Sequence, residues 1–297
     1  MKKNEPEKSK TGKGFQPIRI VLDLAFSEMD TLHRDENFGI DHKKGLAQLD
    51  SVLFEAGRSR FSIISVPIRP GETTDLGGSI TAELSIKFNR KIGYFSMQAS
   101  STYYSKIMLS AVSKLDYSMM QSGKVPEEQW PRLSVSAGNI ADADIYIDDT
   151  RLQSIATIRK SIRELVKDSD IDLIVIDNLQ YISNDSKYRM KEHGYKKTCQ
   201  SLMDLSIELN VSILLLSQFS GGYDPDRIEV ANDCESLPFV QNYGHIADAE
   251  LCLIPRTQDS EDRLFNLYVY YNREGPTGTI RLRQSLDGGS FKTNYIY

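Results

Sequence analysis

Two polar strand ends are the parts of this sequence best suited to chemistry. The segment DLIVIDNLQ is typical of an apolar strand that ends at Asp177, and SILLLSQ of a second strand that ends at Gln218. An acidic residue at the carboxyl end of a buried parallel strand can hold a magnesium ion, and a glutamine there can contact the γ-phosphate of a nucleotide. Both residues also have a structural interpretation, Asp177 as a helix or turn cap and Gln218 as a loop cap.

The elements around these residues alternate between strands and helices. Apolar runs of strand length occupy 61–66, 92–97, 172–177, 211–217 and 250–254, and helical periodicity marks 155–165 and 199–209. Segments such as Ile174–Ile176 are apolar without alternation, as expected for parallel strands that are covered on both faces. The order predicts an α/β fold with a central, mainly parallel sheet flanked by helices. Residues 264–271 and 279–284 predict a C-terminal β-hairpin with a Pro–Gly turn.

Composition limits the classes of protein that remain. The 297 residues carry a net charge of -5, so contact with nucleic acid requires a local basic patch. No apolar run is long enough to cross a bilayer, and the first ten residues lack the apolar core of a signal peptide. Three widely spaced cysteines predict reduced thiols and a cytoplasmic location, and the spacing of the four histidines predicts no structural metal.

A basic segment follows the Asp177 strand and is the best candidate for contact with nucleic acid. The run KYRMKEHGYKK (187–197) holds five cations and one acid, with two tyrosines between them. Phosphates pair with cations and bases stack on aromatic rings, so this composition suits single-stranded nucleic acid. The candidate DNA contacts are Lys187, Arg189, Lys191, Lys196 and Lys197. The alternative is a solvated loop.

The N-terminal region divides into three parts. Residues 1–17 are charged and contain little to bury, which predicts a disordered tail. Residues 18–33 carry an apolar stripe at helical spacing, and residues 34–44 are polar and typical of a linker. The helix either packs on the domain formed by residues 45–297 or docks on a surface outside it.

Several segments together resemble the DnaB family of replicative DNA helicases. They are YIDDT (146–150), IDLIVIDNLQYIS (171–183), ELNVSILLLSQ (208–218) and GPTGTIRLR (275–283), and they occur in the family's order. The resemblance runs from about residue 18 to the C-terminus. We expect no counterpart of the amino-terminal collar domain that precedes this region in the family. It implies a RecA-like P-loop NTPase fold, a six-membered ring, ATP and magnesium bound between neighbours, and single-stranded DNA in the central channel. It also identifies residues 18–33 with the family's linker helix.

The resemblance places a phosphate-binding loop after strand 61–66, and there the sequence departs from the family. Gly71, Glu72 and Thr73 stand at the family's Gly-Lys-Thr, which implies Thr73 and Asp177 as magnesium ligands and Glu72 in place of the lysine. No lysine occurs between Lys44 and Lys87, so a loop shifted to residues 77–79 lacks one as well. Arg69 is the remaining cation that could reach the phosphates.

Two further positions differ from the family. Gln98 stands where the family has a glutamate that activates water, and an amide cannot accept that proton. Tyr271 replaces a lysine, whereas Arg273 matches the arginine finger that acts on the neighbouring subunit's nucleotide. The basic segment lies where the family has a central-channel DNA loop, and residues 239–246 replace a second loop without its usual arginine.

Three hypotheses follow from these matches and departures. The first is a DNA-associated ring component in which binding of ATP and magnesium is weakened and hydrolysis is impaired. The second is an active ATP-dependent helicase that uses Arg69 and another acid. The third, a recombinase-like or clock-type RecA relative, is disfavoured by the linker helix and the GPTG hairpin. Residues 18–33 are expected to mediate association, with further copies of the chain or with an active DnaB-type helicase.

Overall fold

The computed structural model describes most of the chain. It covers residues 18, 19, 22, 45–54, 59–68, 72–185, 188–189, 194–219, 234, 246–256, 262–285 and 288–293. The chain divides into two compact units, residues 1–38 and 39–297. In the first unit Ile18, Arg19 and Leu22 are helical and exposed, while the predicted tail and the rest of the predicted helix lie outside the described residues.

The second unit contains alternating strands and helices, as the sequence predicts. Its strands are β1 (Phe61–Pro67), β2 (Ile92–Ser96), β3 (Ile145–Asp148), β4 (Leu173–Asp177), β5 (Ser183–Asp185), β6 (Tyr188–Arg189), β7 (Ser212–Phe219), β8 (Ala249–Pro255), β9 (Asp262–Asn272), β10 (Gly278–Ser285) and β11 (Lys292–Thr293). Its α-helices are α1 (Leu49–Leu53), α2 (Glu72–Phe88), α3 (Ser101–Ser113), α4 (Tyr117–Ser122), α5 (Trp130–Ala141), α6 (Ile155–Asp168) and α7 (Tyr195–Leu209).

Nine strands form one sheet in the order β11-β10-β9-β8-β1-β7-β4-β2-β3. The six strands from β8 to β3 are parallel, and β9, β10 and β11 extend the sheet by antiparallel pairing. The predicted RecA-like α/β fold with a C-terminal hairpin is therefore confirmed. Strands β5 and β6 form a separate antiparallel pair directly after β4.

Each face of the sheet has its own buried core, which explains the apolar runs without alternation. Adjacent residues of β1 point to opposite faces: Ile64 packs with Leu76 and Ile80 of α2, and Ile63 packs in the cluster that contains Ile158 of α6. Helices α2 and α3 cover one face, while α6 and α7 cover the other. The strands must therefore be apolar on both sides.

Helix α2 decides one question that the sequence leaves open. Gly77, Gly78 and Ser79 are buried in the middle of this helix, so they do not form a phosphate-binding loop. Arg69 and Gly71, of the loop predicted before Glu72, lie outside the described residues. Across the described part of the chain, none of the helices has the length and apolarity needed to span a bilayer.

Candidate nucleotide-binding site

Four predicted site residues come together at the carboxyl edge of the parallel strands. Asp177 ends β4, Gln98 lies two residues beyond β2, and Gln218 is the penultimate residue of β7. Thr73 joins them from the first turn of α2, the helix that follows β1. Because these strands are parallel and adjacent, their carboxyl ends meet, and this is where α/β proteins bind ligands.

The side-chain carbonyl of Gln98 is the centre of a neutral hydrogen-bond network. Its Oε1 accepts from Asn178 Nδ2 at 2.7 Å, Thr73 Oγ1 at 3.1 Å and Gln218 Nε2 at 3.2 Å. The same two amide groups also approach the Thr73 hydroxyl, at 3.4 and 3.5 Å. Three donors therefore face the side-chain oxygen of Gln98, the position at which the resemblance implies a glutamate.

Asp177 is completely buried beside this network. Its Oδ2 accepts from Thr74 Oγ1 at 2.5 Å and from Tyr94 Oη at 3.1 Å. Its Oδ1 has no hydrogen-bond partner among the residues that the structure describes. Burial raises the pKa of this carboxyl, while the hydrogen bonds from Thr74 and Tyr94 oppose the shift. A buried carboxylate oxygen without a donor is a position that a cation would satisfy.

The contact between Thr74 and Asp177 adds a second possible register for the magnesium site. The sequence places Thr73 beside Asp177, but the direct hydroxyl contact comes from Thr74, and Thr73 donates to Gln98. If Thr74 is the ligand, Thr73 stands at the lysine position of the family motif; if Thr73 is the ligand, Glu72 stands there. Neither residue can provide the cation.

The residues present fit magnesium better than they fit a nucleotide phosphate. A hydroxyl and a carboxylate are oxygen ligands, and magnesium usually keeps several waters in addition. No cluster of three or more His, Cys, Asp or Glu side chains suited to a metal occurs in the described portion of the chain. Among those residues, the hydrogen-bond partners of Thr73, Thr74 and Gln98 include no lysine or arginine.

Glu72 faces away from the Gln98 network. It is 1% exposed, and its Oε1 accepts from Arg263 Nη1 of β9 at 3.3 Å. Arg263 also donates to Gln284 of β10 at 2.7 Å, and Gln284 donates to Asp75 at 2.8 Å. The carboxylate that the sequence places against phosphate is therefore paired with a cation, an interaction that the sequence does not predict.

Asp75 is a second buried carboxyl in the first turn of α2. Its Oδ1 accepts from Tyr103 Oη at 2.9 Å, and its Oδ2 accepts from Gln284 Nε2 and from the backbone N–H of Gly289 at 3.1 Å. Burial raises its pKa to about 7 against the effect of these hydrogen bonds, and the nearby Glu72 charge adds to the rise. The network joins α2 to α3 and to the C-terminal strands.

Gln180 is a residue of the site that sequence reasoning does not identify. Its side chain donates to Ser217 Oγ at 3.0 Å and to the Gln218 carbonyl at 2.8 Å, and it accepts from the Gln218 backbone N–H at 2.8 Å. These contacts hold the end of β7 against the short 3-10 helix after β4. The available signal is the polar string Asn178–Gln180 directly behind a buried strand.

A family comparison decides the classification. The family model described as "DnaB-like helicase C terminal domain" matches residues 42–293, most of the chain. The chain belongs to this family.

Known relatives agree with this assignment. The chain is 26% identical over 283 residues to the replicative DNA helicase DnaB of Geobacillus stearothermophilus and 25% identical over 288 residues to the replicative DNA helicase DnaC of Bacillus subtilis. Each match covers 94% of this chain and 62% of the relative, so the chain spans less than two thirds of the length of either protein.

Solved structures confirm the fold. One of them, described as an ATPase domain, superposes with a TM-score of 0.68 at 17% identity, over 95% of this chain and all of that one. A DnaB-like replicative helicase, solved in a study of its interactions with primase, gives a TM-score of 0.70 at 18% identity, over 94% of this chain and 72% of that one.

In this DnaB-like domain Arg273 lies at the opposite edge of the sheet from Asp177. Its guanidinium pairs with Asp248 at 2.9 Å, and the Asp248 carboxylate accepts from the backbone N–H of Phe61, the first residue of β1. The pKa of Arg273 is raised by a hydrogen bond to Tyr271 and by the charges of Asp248 and Glu274. In the strand order β9-β8-β1-β7-β4, Arg273 follows β9 and Asp177 ends β4, so about 19 Å of sheet separates them at the usual spacing of neighbouring strands. Arg273 is therefore too far away to act on the Asp177 site of its own chain.

The basic segment lies partly outside the described residues. Lys187 and Lys191 are among those not described, and for Arg189 only the backbone position in β6 is given. Lys196 and Lys197 are exposed in the first turn of α7, which contains no acidic residue. Strands β5 and β6 follow β4, which ends at Asp177. The basic segment is therefore close to the candidate site along the chain. Of residues 239–246, Ile246 alone is described.

Asp75 generates a prediction about stability and pH. Because its pKa rises from 3.8 to about 7 on folding, the folded protein binds more protons than the unfolded chain between these values, and stability falls as pH rises through this range. Asp75→Asn resembles the protonated form, since its amide can donate to Tyr103 while its carbonyl accepts from Gln284. We expect wild type to lose roughly 2–4 kcal/mol relative to this variant between pH 4 and 8, measured by urea unfolding.

The matched control is Asp168→Asn, which changes an exposed carboxylate at the end of α6. Its pH profile should run parallel to that of the wild type. Parallel profiles for wild type and Asp75→Asn would contradict the prediction.

Proposed function

We propose that this chain acts in DNA replication as a DnaB-type ring component that associates with single-stranded DNA and hydrolyses ATP poorly. The observation that carries the proposal is the neutral Gln98 amide at the centre of the candidate site. A glutamine can orient a water molecule but cannot accept its proton, and a missing general base typically costs about 10²–10⁴ in rate. The replacement of the lysine adds to this loss in either register.

Magnesium and ATP remain the expected ligands, with weakened binding. Asp177 and a threonine hydroxyl, from Thr74 or Thr73, would hold magnesium, and the ion would supply positive charge that neutralises the phosphates. Gln218 would lie next to the γ-phosphate and is held there by Gln180. The phosphates would be bound by the loop before Glu72, with Arg69 as its cation.

An active ATP-dependent helicase is the second candidate. The geometry that favours it is the Thr74–Asp177 contact with Gln218 at the end of the adjacent strand β7, since a working motor uses side chains of these types to contact its metal and phosphates. For this candidate another acid must replace the missing glutamate. Measured hydrolysis therefore distinguishes the two candidates directly.

We expect very low ATP turnover by the purified wild-type chain. Restoring the family residues should raise it, and the pair of substitutions that succeeds identifies the register: Gln98→Glu with Glu72→Lys if Thr73 binds magnesium, or Gln98→Glu with Thr73→Lys if Thr74 does. The measurement is phosphate release with and without magnesium. Robust magnesium-dependent hydrolysis by the wild type would rule out the impaired motor.

Two controls accompany this experiment. Gln98→Glu alone separates the contribution of the base from that of the lysine. Glu72→Lys alone places a second cation beside Arg263, so its thermal unfolding must be followed to separate a folding defect from a catalytic one.

DNA association is proposed to depend on the basic segment. Replacing Lys187, Arg189, Lys191, Lys196 and Lys197 by alanine should weaken binding of a labelled oligodeoxythymidine and reduce the salt slope by about 0.7 for each phosphate whose cation is removed. Lys160→Ala with Lys167→Ala, on the exposed side of α6, is the control for loss of positive charge elsewhere. Equal affinity of the five-residue variant and wild type would identify the segment as a solvated loop.

Assembly is proposed to proceed through residues 18–33, with further copies of the chain or with an active DnaB-type helicase. The position of Arg273, remote from its own Asp177, supports action on a neighbour's site. The second unit also exposes apolar side chains on α5 and β3 that association could bury, including Trp130 at 51% and Val135 at 66%.

Deletion of residues 1–34 tests the assembly proposal. The deletion should lower the mass in solution, measured by light scattering, for the chain alone or mixed with an active DnaB-type helicase. In the mixture, Arg273→Ala should reduce the partner's ATP hydrolysis without changing the mass of the complex. An unchanged mass after deletion in both settings would assign the helix to packing within its own chain.

A further inference from the structure

A groove with a volume of about 430 Å³ lies far from the candidate nucleotide site. Its walls are the C-terminal half of α2, the end of α3, and the strands β10 and β11. Helix α2 begins at the carboxyl edge of the sheet with Glu72 and lines the groove from Ser79 to Lys87, about 10 to 22 Å farther along its axis. The groove is therefore a separate surface.

Its charge is opposite to that of the whole chain. The whole chain has a net charge of -5. The groove, in contrast, is lined by four cations and one carboxylate: Lys87, Lys114, Arg283, Lys292 and Glu83. Glu83 pairs with Lys87 of its own helix, and Lys292 lies 3.8 Å from Asp116, outside the lining. Displacement of water lowers the pKa of Lys114; Glu83 opposes this, and the nearby Lys87, Lys292 and Arg132 lower it further.

Helix ends explain only two of these cations. Lys87 lies in the last turn of α2, and Lys114 follows the last residue of α3, so each is favoured by the partial negative charge of a helix C-terminus. Arg283 and Lys292 come from strands and have no such explanation. They face the same groove from the opposite wall.

The floor between the cations is aliphatic. Ile86, Ala111 and Val112 line it and are partly exposed. A ligand that satisfies the groove must therefore offer both negative charge and small apolar groups. Its volume lies within the range of about 300–1,000 Å³ that is typical of ligand pockets.

We propose that this basic groove, defined by Lys87, Lys114, Arg283 and Lys292, docks an acidic peptide segment of a partner protein. The segment carries carboxylates on both sides of one or two aliphatic side chains. The carboxylates pair with the cations of both walls, and the aliphatic side chains cover Ile86 and Val112. A nucleic acid offers phosphates but no aliphatic groups for the floor, and its bases stack on exposed aromatic rings, whereas the aromatic residue of this lining, Phe291, is 2% exposed.

The test measures fluorescence anisotropy of a labelled helical peptide of about 12 residues built from Glu, Leu and Ala. We expect the full chain to bind it in a salt-sensitive manner, and Arg283→Glu with Lys292→Glu to weaken binding about tenfold or more. The matched control is Lys160→Glu with Lys167→Glu, which gives the same net charge through exposed residues of α6 and should bind as wild type does.

Further arms exclude other ligands and a folding defect. A peptide with Lys in place of Glu should not bind, and an oligodeoxythymidine of similar length should not compete. Arg283→Ala with Lys292→Ala, whose thermal unfolding is checked alongside, should give an intermediate loss. The proposal is overturned by equal binding of the charge-reversed and wild-type chains, by competition from the oligonucleotide at the groove, or by no binding at about 1 mM peptide.

Discussion

A carboxylate that is buried completely needs hydrogen-bond donors or a cation to offset the loss of its hydration. Asp177 at the centre of the fold is such a carboxylate, and the residues around it supply the donors. Its Oδ2 takes one donor from α2, Thr74, and one from β2, Tyr94. The Tyr94 contact requires close packing, since a Cβ atom at Gly77 would collide with Tyr94 Oη and with Leu216 of β7. Each donor to a buried charge contributes about 1.5–3 kcal/mol, so the position of α2 on the sheet is coupled to this one residue.

The first turn of α2 carries two acidic side chains, and the phosphates of a bound nucleotide would lie close to them. Glu72 and Asp75 place carboxyl groups at the helix N-terminus, where the partial positive charge of the helix favours them and where phosphate would otherwise bind. Arg263 and Gln284 bind these groups from β9 and β10. Both carboxyl groups at the helix start thus receive donors from protein side chains, and the Glu72 charge is offset by Arg263 in the absence of phosphate.

The sheet can be predicted from the sequence because buried parallel strands leave a strong signal. Runs such as Ile174–Ile176 require cover on both faces, and all five predicted parallel strands are present within about two residues. Strand β3 gives no continuous apolar run because it is a partly exposed edge strand, and helices α2 to α5 are not predicted either. The site's contacts are harder to predict, since the choice between Thr73 and Thr74 depends on the rotation of one helix turn. The partner of Glu72 is Arg263, 191 residues away, and neither periodicity nor spacing carries that information.

Arg273 and Gln98 have separate sets of hydrogen-bond and ion-pair partners. A substitution at one of these residues can therefore leave the position of the other unchanged. Arg273 is held by Asp248 at the amino edge of β1, while Gln98 sits among Thr73, Asn178 and Gln218 at the carboxyl edges of β2, β4 and β7. Substitutions at sites with no common partners act almost independently. Under the proposed function, glutamine in place of the family's glutamate at position 98 would remove a proton acceptor in cis and leave the Arg273–Asp248 pair intact. In that proposal, the chain loses hydrolysis of its own nucleotide while the opposite edge of its sheet still offers the Arg273 guanidinium to a neighbour.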